Sequence, residues 1–409
     1  MSIISDSLKK IKPSPTIAVT QKARELKAAG KDIIGLGAGE PDFETPSHVK
    51  EAAIKAIHDG FTKYTAIDGC ADLKSAIQEK FQRDNNLKYS HDEILVSSGA
   101  KQTLFNLCIG LLSKGDEAII PSPYWVSYPD MVRVADGEPV IIQTGIEDNF
   151  KITPEQLKQN ITTKTKLIFL NSPSNPTGSC YSKDELIGLS KVLIDYPNII
   201  IAVDDIYEKI YWGKTPFYSF ATVAPELKNQ VVTINGVSKC YAMTGWRIGY
   251  AGGPKEIIRA MKTIQSQSTG NPCSISQIAA ITALNGDQSC IKTMNTAYQD
   301  RNNFLVGALN TIPGFECKKA DGAFYAFPKV IDAITQKGLK DDVELAGLIL
   351  KESGVAIVPG TPFGAPGYIR LSFACSKENL IEAIHRIKKI LIKYIKLLLK
   401  TFYDECLTR

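Results

Sequence analysis

The sequence predicts an α/β protein: a large domain with a mostly parallel central sheet and helices on both faces, joined to a smaller α/β domain. Two observations predict it. Up to about residue 285, short apolar runs alternate with amphipathic helical stretches, the pattern of buried parallel strands linked by crossover helices. From Asn285 the texture changes to one long helical pattern, three short apolar runs and a helical end.

The strands of the large sheet read as Ile94–Ser97, Glu117–Pro121, Lys166–Leu170, Ile199–Val203 and Val231–Ile234. Lys101–Leu112 and Lys183–Asp195 carry helical periodicity between them. Beyond Asn285, Met294–Leu309 reads as a helix, and Ala323–Phe327, Val355–Val358 and Ile369–Phe373 as strands of a smaller sheet. Leu380–Lys400 is helical in period, its apolar face running from Ile384 and Ile387 to Leu398 and Leu399. The expected division is 1–45 as an N-terminal arm and part of the small domain, 46–289 as the large domain, and 290–409 as the small domain. No internal repeat or low-complexity linker separates these units.

Bulk properties exclude several classes. The net charge of +5 is spread along the chain rather than gathered into a nucleic-acid surface. Nine cysteines without CxxC spacing suit a reduced, cytoplasmic setting better than a disulfide framework. The opening MSIISDSLKKIKPSP lacks the apolar core of a secretory signal, and no run approaches the roughly 18 apolar residues that span a bilayer. The four histidines lie outside every segment singled out below, so a His-based triad or a zinc site has little to work with. A proton carrier here must be another residue.

In open α/β sheets ligands sit beyond the carboxyl ends of the strands. The segment VVTINGVSKCYAMTGWRIGYAG, from Val231, therefore draws attention. Gly236 permits a sharp turn after the strand, and Ser238 and Lys239 stand at its tip. A lysine there, desolvated or beside another cation, becomes a base or nucleophile. Arg247 follows on the same segment, just before an apolar strand-like run, and can grip a phosphate through two parallel hydrogen bonds. An amine for an aldehyde and a guanidinium for a phosphate are two needs of pyridoxal 5'-phosphate.

GVSKCYAMTGWRIG also resembles the lysine motif of class I aminotransferases, within the fold-type I pyridoxal-phosphate enzymes. Gly236, Ser238, Lys239, Ala242, Gly245, Arg247, Ile248 and Gly249 fall in register. The resemblance implies that Lys239 forms the imine with the cofactor and that Ser238 and Arg247 serve cofactor binding. The remaining parts of such a site are then sought in turn.

SSGAKQTLFNL places Gly99, Ala100 and Lys101 at the start of an amphipathic helix, where free amides hold a phosphate. Trp125, in SPYWVSYPD, matches an aromatic that lies on the cofactor ring. Asp204, at the end of a strand in VDDIYEKIYW, matches the carboxylate that pairs with the ring nitrogen, and Tyr207 a donor to the ring oxygen. Asn175, in NSPSNPTG, matches a second donor to that oxygen, and the resemblance implies a cis Asn175–Pro176 bond. Arg370, in GYIRLSFA, matches the clamp for the substrate α-carboxylate, and Gly39, in LGAGEPDFETP, a backbone that approaches the substrate. Tyr64, in TKYTAIDG, matches a tyrosine reaching the phosphate of a second subunit, which implies a homodimer with shared sites. Packing at a surface is the plain alternative for it.

IKPSPTIAVTQKARELKAAG and Lys101 are similar to the bacterial subgroup Ib of aspartate aminotransferases. There the lysine matching Lys101 binds the distal carboxylate, and one matching Lys12 bears on prephenate. The implied substrates are L-aspartate and 2-oxoglutarate, with prephenate left open. A lyase, decarboxylase or racemase, or an aminotransferase for aromatic or neutral amino acids, would use the same cofactor. A non-catalytic regulator would need a DNA-reading module for which the chain has no room. GLGAG (35–39) lacks the full dinucleotide fingerprint, and in GLLSKGD (110–116) Asp116 stands where a P-loop needs lysine. The basic C-terminal helix reads as packed on its own domain, with its lysines in water rather than on a membrane.

Overall fold

The computed structural model describes residues 3, 9–11, 13 and 15–391. Strands in chain order are β1 (Ile34–Gly35), β2 (Ile94–Ser97), β3 (Glu117–Ser122), β4 (Glu138–Gln143), β5 (Thr165–Asn171), β6 (Ile200–Asp204), β7 (Val231–Gly236), β8 (Gly249–Gly252), β9 (Tyr325–Ala326), β10 (Val355–Ala356), β11 (Val358–Pro359) and β12 (Ile369–Ser372). Seven of them, β2 to β8, form one sheet in the order β2-β8-β7-β6-β5-β3-β4. Only β8 runs against its neighbours; the other pairings are parallel.

Alternation along each strand feeds two cores. Leu95, Ile120, Phe169, Ala202 and Val232 point to one face, against Leu104, Leu107 and Met261 of the covering helices. Ile119, Ile168, Leu170, Ile201 and Val203 point to the other, against Leu186, Leu189 and Leu193. Neither face meets water, which explains strands that read as unbroken apolar runs. The helix Lys183–Leu193 starts with a capping box in which Ser182 and Glu185 satisfy each other's backbone amides.

The smaller unit has β1 pairing β10 in parallel and an antiparallel β11-β12-β9 sheet. The expected strand Val355–Val358 is thus two short strands in different sheets. The long helix is Ser289–Leu309. The C-terminal helix covers 377–391 of the described residues and buries Leu380, Ile384, Ile387 and Leu391 in the small core. Truncating one of these to alanine costs about 2–5 kcal/mol. The expected continuation through Tyr394, Ile395, Leu398 and Leu399 lies outside the described residues. Among the described residues no helix is long and apolar enough to cross a membrane.

The expected cis Asn175–Pro176 bond is corrected. Among the described residues the cis peptide bonds are Ser122–Pro123 and Ser172–Pro173. The turn explains the shift. Gly178, at φ 69°, donates its amide to the Ser174 carbonyl, and Asn175 donates its own to Asn171 Oδ1 at 2.9 Å. Asn175–Pro176 sits inside that closed turn as a trans bond.

Candidate active site

The carboxyl ends of β3, β5, β6 and β7 open onto a cavity of about 590 Å³, closed on the far side by the 37–40 loop and β12. Lys239, Asp204, Tyr207, Asn175, Trp125, Ser238, Arg247, Arg370, Ala100, Lys101 and Gly39 all line it. These positions span most of the chain, and the fold brings them to one place.

Lys239 stands just past β7. Its Nζ donates to the Gly39 carbonyl at 2.6 Å and lies 5.8 Å from the Tyr207 ring centre. Burial, then the nearby Arg247, pulls its pKa down to about 8, while Glu40 and Asp204 oppose the drop. A lysine in that range exchanges protons near neutral pH.

Asp204 ends β6 and is buried. Its Oδ2 accepts from the Tyr128 hydroxyl at 2.6 Å and its Oδ1 from the Ile206 amide at 3.3 Å. Burial raises its pKa to about 6, against the pull of both donors. Tyr128 itself stacks on Phe169 at 4.7 Å, so the donor is fixed by packing. Asn171, at the end of β5, donates from Nδ2 to the Asp204 carbonyl at 2.8 Å and so ties two strand ends together.

The helix Ala100–Leu111 begins at Gly99, whose φ is 86° and which offers no side-chain cap. Its first amides are left for another acceptor. A Cβ at Gly99 would run into the Arg247 guanidinium, and one at Gly249 into the Ala100 amide. Arg247, at φ 56°, is anchored by Thr244 O at 2.9 Å. Free amides, a guanidinium and backbones stripped of side chains make a cradle for a phosphate.

Arg370 comes from β12 and is 2% exposed. Nη1 donates to Asn175 Oδ1 at 2.9 Å and Nη2 to the Gly37 carbonyl at 2.7 Å, while Nε has no partner among the described residues. Burial lowers its pKa without a carboxylate to offset it. Lys101 Nζ lies 4.9 Å above the Trp125 ring, and burial with Arg247 lowers its pKa as well. Tyr207 shares a hydrogen bond with the Tyr325 hydroxyl at 2.8 Å.

Tyr64 is 97% exposed and does not line this cavity. Lys12 lies outside the described residues. Sequence reasoning gave no role to Tyr128, Tyr325, Asn171 or Gly37. For Tyr128 a signal existed: it follows Trp125 by one helical turn, after the same strand end.

The arrangement is that of a pyridoxal-phosphate enzyme: an amine of lowered basicity, a buried carboxylate, an aromatic wall and a phosphate cradle. Residues 31–387 match the family model "Aminotransferase class I and II". The chain belongs to that family, whose members use pyridoxal 5'-phosphate as cofactor. It is 56% identical over 394 residues to the aspartate/prephenate aminotransferase of Nitrosomonas europaea, covering 95% of this chain and 99% of that one. It is 50% identical over 382 residues to the aspartate aminotransferase of Bacillus subtilis, covering 93% and 97%. Among solved structures, the aspartate aminotransferase of Rhizobium meliloti superposes with a TM-score of 0.92 at 45% identity, covering 96% and 99%. That of Thermus thermophilus with maleate superposes with a TM-score of 0.90 at 42% identity, covering 95% and 100%.

Proposed function

We propose that this chain moves the amino group between L-aspartate and 2-oxoglutarate, with prephenate as a second substrate to be tested. The observation that carries the proposal is the Arg370 fork and the Lys101 ammonium lining one cavity with Lys239. Two cations besides the phosphate site suit a substrate with two carboxylates. The names of the relatives support the same reading.

Bound here, pyridoxal phosphate supplies an electron-poor ring that takes up the charge left at the substrate α-carbon. Ser238, Arg247 and the amides at Ala100 and Lys101 would hold its phosphate, with Gly99, whose amide donates to the Ser97 carbonyl at 2.7 Å, leaving room for it. Asp204 would hold the proton of the ring nitrogen, Trp125 would cover the ring, and Tyr207 and Asn175 would donate to its oxygen. Arg370 grips the α-carboxylate in a plane set by Asn175, and Gly39 approaches the substrate through its backbone. Lys239 Nζ takes the α-proton and later returns a proton. Lys101 holds the distal carboxylate, and Lys12 would serve prephenate.

The same reading makes the protein a cytoplasmic homodimer. Tyr64 and Phe61, with Ile54 and Ile57 on helix Ser47–His58, are exposed together. A second copy covering them would bring Tyr64 to its partner's phosphate. The domain division proposed is 1–45, 46–289 and 290–409, supported by a core drawn mainly from Ile34, Leu36 and residues 294–391, which meets the large unit at Ile206, Tyr207 and Ile210.

A panel of amino donors with 2-oxoglutarate, read as glutamate formed, tests the proposal. Aspartate should be the fastest donor, giving oxaloacetate. Prephenate turnover that falls in Lys12→Ala would support the second activity. Pyruvate or ammonia released without glutamate would mark lyase chemistry and overturn the reading.

A further inference from the structure

Lys239, Arg247, Arg370 and Lys101 each have a task in the reading above. Arg24 lines the same cavity and has none. It stands on helix Pro15–Ala28, where Thr20, Gln21 and Arg24 share the cavity-facing side. The adjoining side, with Val19, Ala23 and Leu26, packs on Ile33 and Ala356 of the small unit. A Cβ at Gly37 would lie 3.4 Å from Val19 Cγ1, so the helix rests closely on the loop that supplies the Gly37 carbonyl to Arg370 and the Gly39 carbonyl to Lys239.

The acid beside Arg24 on its helix is otherwise engaged. Glu25 accepts from Gln21 at 3.0 Å and pairs with Lys22 at 3.8 Å. Among the described residues no acid pairs with the Arg24 guanidinium. An unpaired arginine at the mouth of an anion-binding cavity is exposed to water, where a single ion pair is weak. Once a substrate fills the cavity and displaces water, the same pair strengthens. Lys101, its counterpart on the large-domain side, is a single point charge without fork geometry.

We infer that Arg24 is a specificity residue that grips the distal carboxylate of a dicarboxylic substrate together with Lys101. It thereby favours amino diacids over monocarboxylic amino acids. This deepens the proposed function and rests on that reading.

The test compares the wild-type holoenzyme with Arg24→Gln and Arg24→Lys. The reaction is followed as single-turnover loss of cofactor absorbance with aspartate, glutamate, alanine and phenylalanine. In Arg24→Gln, the limiting rate divided by Kd for the two diacids should fall about three- to tenfold, mostly through Kd, with alanine and phenylalanine unchanged. Arg24→Lys should recover part of the loss, and the salt dependence of diacid binding should flatten in Arg24→Gln. An equal loss on all four donors would mean that Arg24 merely seats its helix, and no loss on any donor would remove it from recognition; either result overturns the inference. A wild-type enzyme with no preference for diacids would instead defeat the underlying functional reading.

Discussion

The Arg370 guanidinium donates to the side-chain carbonyl of Asn175 at 2.9 Å, joining β12 of the small unit to the loop after β5 of the large sheet. Two aromatic faces flank the cation, Tyr325 at 4.5 Å and Phe363 at 5.0 Å. Its buried Nε has no partner among the described residues. A buried cation held by a carbonyl, an amide and rings, with no carboxylate, is a site prepared for one. Arg370→Lys keeps the charge but loses the fork. It should lower kcat/KM for aspartate by about 100-fold or more, with cofactor affinity unchanged. Steady-state kinetics beside a cofactor titration would check both halves.

The Tyr128–Asp204 bond sets where the buried carboxyl titrates in the cofactor-free protein. Burial lifts the Asp204 pKa to about 6, and the Tyr128 hydroxyl holds it from rising further by donating to the charged form. Tyr128→Phe removes that donor, so the carboxylate protonates at higher pH. In the cofactor-free protein the Asp204 carboxyl of Tyr128→Phe should titrate about one pH unit higher, read by difference infrared spectroscopy of the carboxyl band, and the two proteins should converge on the alkaline side. A carboxyl titration that stayed in place would show that the Tyr128 hydroxyl does not hold the charged form.

Lys239 carries a cost in the cofactor-free protein. Its pKa falls from the ordinary 10.5 to about 8 on folding, chiefly through burial. Below pH 8 both folded and unfolded chains hold the proton and the penalty is complete. Between pH 8 and 10.5 the folded chain releases it first, so stability rises with pH across that window. Lys239→Met removes the charge. The variant should melt above the wild-type apo-protein at pH 7, with the gap shrinking as pH rises toward 10.5, while transamination is lost. Thermal melts across pH would show it.

The phosphate cradle depends on an absent side chain. Gly99 holds φ 86°, and an added Cβ would strike the Arg247 guanidinium. Gly99→Ala should weaken pyridoxal-phosphate binding by about tenfold or more, and should weaken inorganic phosphate binding to the apo-protein as well. Fluorescence titration with each ligand separates this from an effect on the ring.

Much of the site was legible because its parts are local. The lysine loop, the Gly99 turn and Asp204 each sit directly after an apolar strand, so strand end and chemistry are read from one short segment. Pairings between distant hydroxyls were not legible. Tyr128 meets Asp204 across 76 residues, and Tyr207 meets Tyr325 across 118. Two strands escaped, β1 because it is only two residues long and β4 because of where it lies. At the sheet edge, β4 is half-exposed and its apolar run is brief. The apolar run after Arg247 is β8, Gly-Tyr-Ala-Gly, fully buried yet poor in the branched residues that mark strands, because Gly249 lies against the Ala100 amide. The resemblance misplaced one cis bond because proline follows both Ser172 and Asn175, and sequence alone does not tell which turn closes.

The central claim is that the Lys239 amine is joined to pyridoxal phosphate and does the proton work. Borohydride reduction of the holoenzyme, followed by peptide mapping, tests it most directly. The expected product carries a reduced pyridoxyl phosphate on the peptide containing Lys239, and Lys239→Ala loses both the label and about three orders of magnitude or more in turnover. A label on another lysine, or full turnover in Lys239→Ala, would contradict the account.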